Sequence, residues 1–192
     1  MRILIFILLW SVATSCNLFE TRSPEEPDQS PVAFFPATNP TQLIQNFTNS
    51  IKYKRPQNYS DCLINDQRFN FSASADAFAQ YQSILNRWTY QDENRFFQSL
   101  VSNVSSQNLI SISFDKISFN YASPDSIIFN ANYEISFVLK QSSKSDNYAG
   151  SMQMTFVPTS DGVYKILRWR DYPSKNDSLI PTWSTLKARF YN

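Results

Sequence analysis

The stretch FNANYEISFVLK, residues 129–140, decides the fold. Phe129, Ala131, Tyr133, Ile135, Phe137 and Leu139 share one parity; Asn130, Asn132, Glu134, Ser136 and Lys140 share the other. Successive side chains of a strand point to opposite faces, so this is a long antiparallel strand with one face on a core and one in water. Downstream, 142–147 is a polar turn, and Met152, Met154 and Phe156 alternate in a second strand. Asp161-Gly162 is a hairpin turn. A last strand runs over 163–172, where Ile166 and Trp169 share a face only across a bulge; otherwise both faces are partly covered. Upstream, Ile110, Ile112 and Phe114 hold one parity and Ile117, Phe119 and Tyr121 the other, so Asp115-Lys116 marks a turn or bulge before the Pro124-Asp125 turn.

Before residue 108 the apolar period is helical. Asn39 suits an N-cap and Pro40 a first helical position. Leu43, Ile44, Phe47 and Ile51 then line one face until Pro56 stops the helix. A short helical turn over 58–63 and a short strand over 68–71 follow. A second helix is expected to be capped by Asp76, with Phe78, Tyr81, Ile84, Leu85 and Trp88 on its apolar face. A third spans about 92–103, carrying Phe96, Phe97, Leu100 and Val101. Residues 182–190 read as a short terminal helix docked through Trp183, Leu186 and Phe190.

The first residues are of a different kind. Arg2 precedes an apolar run over 3–10, and small residues over 11–15 lead to Cys16, the layout of a secretory signal. The run is far shorter than the ~20 residues a membrane-spanning helix needs. Val12-Ala13-Thr14-Ser15-Cys16 resembles a lipobox, the cleavage site of bacterial lipoproteins, departing from it at Ala13, where Leu is preferred. The resemblance implies a diacylglyceryl group on Cys16. Residues 1–15 are then signal peptide, and 16–38, with Pro24, Pro27, Pro31 and Pro36, a semi-stiff tether. Residues 39–192 form a single α+β domain. Phe34 and Phe35 are candidates to dock on it. The expected location is the cell envelope, on the outer side of the cytoplasmic membrane. Cys62, the other of two cysteines, is left without a partner and reads as an inert core thiol.

Composition excludes several chemistries. The chain has no His, which removes Ser–His and Cys–His nucleophile pairs and His-ligated metal sites. Two glycines cannot build a phosphate cradle, and a net charge of +1 lacks the basic excess of a nucleic-acid binder. No cofactor or metal is expected.

Helix, short strand, two helices and a meander of long strands is the element order of the nuclear-transport-factor-2-like superfamily, which includes SnoaL-like and ketosteroid-isomerase-like domains. The Leu167-Arg168-Trp169-Arg170-Asp171 ending resembles its last strand, and residues 182–190 resemble the ending of envelope lipoproteins with this architecture. The resemblance implies N-terminal helices packed on a curved antiparallel sheet around a conical apolar cavity. Tyr81, Trp88, Tyr133 and Trp169 are candidates to line it, against the plainer reading of core packing. Glu134, Lys165, Arg168, Arg170 and Asp171 are expected on a solvated strand face, with Tyr and Phe, not Asp, turned to the core. No isomerase residue can be carried over position by position, so no catalytic residue is assigned. The expected function is a non-catalytic binding or interaction domain, for an apolar small ligand or an envelope protein, with a homodimer through the outer sheet face as a further arrangement. The alternative is a small cone-fold enzyme using carboxylate or Tyr chemistry.

Overall fold

The computed structural model describes residues 33–123, 125–174 and 179–191. The expected signal peptide, Cys16 and most of the tether lie outside these residues, as does Pro124. Five helices and five strands are described. Helix α1, Pro40–Lys52, begins as its sequence requires: Asn39 Oδ1 accepts the Gln42 N–H at 2.9 Å and Pro40 opens the first turn. Leu43, Ile44, Phe47 and Ile51 are buried along one stripe. Pro56 is not only a stop. It also starts the short helix α2, Pro56–Asp61.

Helix α3, Ala75–Leu85, corrects the expected second helix. Its N-cap is Ser74, and Asp76 sits inside the first turn. Tyr81 leaves helical geometry (φ −123°, ψ 34°) and the helix ends at Leu85, so Trp88 lies beyond it rather than on its face. Phe78 is exposed, and Tyr81 and Ile84 are only half-buried. Helix α4, Tyr90–Asn103, starts earlier than expected because Thr89 and Asp92 close a reciprocal capping box.

The strands are β1 (Asn70–Ser72), β2 (Ser111–Ser123), β3 (Ser126–Val138), β4 (Ser145–Pro158) and β5 (Tyr164–Pro173), in the order β1-β5-β4-β3-β2. β1 runs parallel to β5; the other pairs are antiparallel. β3 alternates as its sequence does, with Ile127, Phe129, Ala131, Tyr133, Ile135 and Phe137 buried. The parity change in β2 is a bulge: the register shifts between Asp115 and Ser118, and Lys116 takes φ 50°. β5 also carries a bulge. Thr155 faces Arg168 and Phe156 faces Ile166, so Leu167 is the extra residue and Ile166 and Trp169 both point inward.

The helices cover one face of this sheet, giving the α+β architecture expected of the sequence. Helix α5, Trp183–Arg189, closes the core through Trp183, Leu186 and Phe190. Packing starts before α1: Ala37 is buried and its carbonyl accepts the Tyr164 N–H at 2.8 Å, whereas the Phe34 and Phe35 side chains stay exposed. Among the described residues no helix is long and apolar enough to cross a membrane.

Candidate functional site

Asp171 belongs to β5, two residues beyond the inward Trp169, and so points inward as well. This corrects its expected place on a solvated face: it is 2% exposed. Tyr133 Oη donates to Asp171 Oδ1 at 2.7 Å, and Ser184 donates to Oδ2 through its backbone N–H (2.7 Å) and its hydroxyl (2.5 Å). The Trp183 N–H donates to Tyr133 Oη at 2.7 Å. Thr182, the N-cap of α5, makes no side-chain cap bond of its own. Asp171 and Tyr133 therefore satisfy the first orphan N–H groups of α5 from another element, and the carboxylate meets the positive end of the helix. Burial raises the Asp171 pKa, while the Ser184 and Tyr133 hydrogen bonds pull it back. The Tyr133 phenol is held well above its usual value by burial and by the adjacent Asp171.

Tyr133 can lie there because Gly150 is its cross-strand neighbour. A Cβ on Gly150 would sit 2.4 Å from the Tyr172 carbonyl oxygen and 2.6 Å from Tyr133 Oη.

A second buried carboxylate, Glu93, stands on α4. It accepts from Tyr59 Oη (2.6 Å), Trp88 Nε1 (2.7 Å) and Lys187 Nζ (2.5 Å). Lys187 is on α5 and 0% exposed; its ammonium lies 3.4 Å from the Phe71 ring centroid and 3.9 Å from that of Trp169. Burial lowers its pKa from 10.5 to about 8, against the pull of Glu93. Between the two networks the interior is occupied by rings. Trp183 packs on Phe47, Tyr133 and Trp169 with centroids 5.9, 5.4 and 4.7 Å away, and Tyr59 stacks on Phe97 at 3.9 Å. The Trp169 and Trp183 indole N–H groups find no acceptor among the described residues. Cys62 is buried, and burial pushes its thiol pKa up, which leaves it unreactive. No group of three or more His, Cys, Asp or Glu side chains among the described residues is placed to hold a metal ion.

The other face of the sheet is open. A groove of about 710 Å³ crosses it, floored by β3 and β4 and walled by the β2 bulge and the end of β5. Asn130, Asn132, Glu134, Ser151, Gln153 and Tyr172 line it.

No family model matches the chain, and no curated protein matches its sequence. Solved structures do match in shape. An NTF2-like superfamily protein from Salmonella enterica aligns with a TM-score of 0.53 at 10% identity, over 68% of this chain and 85% of its own. An NTF2-like protein from Rhodospirillum rubrum aligns with a TM-score of 0.54 at 8% identity, over 70% and 97%. A protein from Novosphingobium aromaticivorans, provisionally named a scytalone dehydratase, aligns with a TM-score of 0.54 at 10% identity, over 68% and 78%.

The fold is the NTF2-like cone. Inside this NTF2-like cone Tyr133 and Trp169 both pack on Trp183, and Trp88 joins them through Phe71; all three are buried. Tyr81 stays apart, half-buried on α3. Of the expected polar face, Glu134, Arg168 and Arg170 are exposed, and Lys165 Nζ donates to the Asp61 carbonyl at 2.6 Å. The sequence reading missed Glu93, Lys187 and Ser184. Lys187 had a signal: it is four residues after Trp183 and next to Leu186, on the docking face of its own helix. Asp171 had one too, since an inward Trp169 carries the residue two further along to the same side. Glu93 had none, because an acidic residue in the first turn of a helix is the ordinary solvated pattern.

Proposed function

We propose that this chain is a lipoprotein of a bacterial cell envelope, held outside the cytoplasmic membrane by acylated Cys16, and that its NTF2-like domain binds a partner or ligand and does not catalyse. The single observation that supports the binding role is what the interior contains. Both inward carboxylates are committed to holding helix α5 and its neighbours, and the rings of Phe47, Tyr59, Trp169 and Trp183 fill the space between them. An acid or base must reach the proton it moves within hydrogen-bond distance. Asp171 and Tyr133 are 2% and 1% exposed, so a substrate would reach either only by displacing side chains packed around it.

The anchor is supported by the signal layout before Cys16. Two acyl chains on one Cys supply the two signals that stable anchoring takes. The competing reading, a small cone-fold enzyme, draws on the buried Tyr133–Asp171 pair. A polar outer face, accessible while the interior is closed, agrees better with binding.

Two measurements test the proposal. Cys16→Ser should move the protein from the membrane fraction, where high salt leaves the native form, into the soluble one; a variant just as membrane-bound and of the same size rejects the anchor. Glu134→Gln or Asp171→Asn should not abolish the biological effect while fold and binding stay intact. That outcome would establish chemistry at the carboxylate and reject the binding role.

A further inference from the structure

The groove on the outer face is built, not incidental. Asn130 lies opposite Gln153 and Asn132 opposite Ser151 on adjacent strands, making a square of polar side chains. Gln153 Nε2 donates to Asn130 Oδ1 at 3.1 Å, and Asn130 Nδ2 donates on to Ser118 Oγ at 3.4 Å. Asn132 Nδ2 donates to Asp115 Oδ2 at 3.3 Å. These relays fix the amides and leave Gln153 Oε1, Asn132 Oδ1 and the second N–H of each amide for a ligand. Ala149 and Ser151, small residues in the floor, give the groove its depth. The bulge at Lys116 raises one wall, and Tyr172, 43% exposed, forms the other. From β2 to β5 there are three strand spacings, about 14 Å.

The chemistry of this lining selects its ligand. Fixed amides offering donors and acceptors together match hydroxyl groups, each of which is both. Lys116 and Arg170, which lies opposite Gln153 on β5, are balanced by Asp115 and Glu134, so the face has no excess positive charge for an anion, and amides at the floor are wrong for a lipid tail. A second copy of the chain fits poorly as well, since homodimer interfaces are apolar at their centres and this floor is amide and hydroxyl. We propose that the groove binds a neutral oligosaccharide, a sugar face resting on Tyr172 and neighbouring hydroxyls bridged by Asn132 and Gln153. This rests on the binding reading above and names the ligand class.

The test is calorimetric titration of the purified full-length protein, in detergent, with chito-, cello- and malto-oligosaccharides. One series should bind. Asn132→Ala and Gln153→Ala should each weaken it by about tenfold, the loss of one or two hydrogen bonds, at an unchanged unfolding midpoint. Tyr172→Ala should weaken it and Tyr172→Phe should not. No binding by any series, or binding that Asn132→Ala leaves intact, overturns the assignment. So does a dimer in sedimentation that Asn132→Arg separates, which would give the face to a second copy. Each of these leaves the membrane-anchoring and carboxylate tests unaffected, so failure of the sugar assignment is separable from failure of the binding reading.

Discussion

Replacing Lys187 by Met tests whether the buried ion pair holds helix α5 to the cone. Met follows the same unbranched stem into the space between Phe71 and Trp169, so the charge is removed with little change in packing. Removing one member of a buried pair leaves the other uncompensated and costs about 3–5 kcal/mol. Glu93 keeps Tyr59 and Trp88 as donors, which places the loss in the lower half of that range. The lost cation–π contacts add about 0.5–2 kcal/mol. With a urea slope near 2 kcal/mol/M, the unfolding midpoint should fall by about 1.8–3 M. Adding Glu93→Gln to K187M removes the orphaned charge and should recover part of the loss, so the two substitutions are strongly non-additive. The pH dependence supplies a second readout. Burial lowers the folded-state pKa of Lys187 to about 8 from 10.5. Between those values the unfolded chain holds a proton that the folded chain does not, so stability rises with pH; below 8 both states are protonated and the desolvation cost is present in full. Above about 9 the buried Cys62 thiol, and above 10 the buried Tyr59 and Tyr133, act the other way, because the unfolded chain loses their protons first. Wild type should therefore gain stability from pH 8 to 10. K187M should lose the Lys187 rise and keep only that of Lys54, whose pKa is also lowered by burial, set against the fall from Cys62. A K187M midpoint within about 0.3 M of wild type, or an undiminished rise over that pH window, would refute the reasoning.

Trp88→Ala should destabilise the domain by about 3–5 kcal/mol, since it removes a buried aromatic and a donor to Glu93; an unchanged urea midpoint would contradict its placement. Gly150→Ala should lower the melting temperature markedly, because the new methyl meets a backbone carbonyl that cannot swing aside; differential scanning calorimetry showing no change would mean that Tyr133 does not lie over β4. Tyr133→Phe orphans Asp171 Oδ1 and the Trp183 N–H at once and should cost about 2–4 kcal/mol. Amide exchange should then be fastest at the start of α5, and uniform protection there would count against the proposed cap.

Element order and the apolar face of most elements are legible in local patterns. The alternation of residues 129–140, the parity change at Asp115-Lys116, the conflict between Ile166 and Trp169, and the Asn39-Pro40 start each depend on side chains a few positions apart. Periodicity and capping are local and can be read directly. The second helix was misread for the same reason. Phe78, Tyr81, Ile84, Leu85 and Trp88 make a consistent helical pattern on paper, but the break at Tyr81 and the end at Leu85 leave Phe78 outside. The charged centre was hidden further. Glu93 and Lys187 are 94 positions apart and Tyr133 and Asp171 38 apart, and no local pattern ties an acid on one helix to an ammonium on another. Tertiary structure alone decided that the cone is filled, because the side chains that fill it arrive from α1, α2, β5 and α5 at once. A buried charge is tolerable only where its partners are already in place, and only folding supplies them.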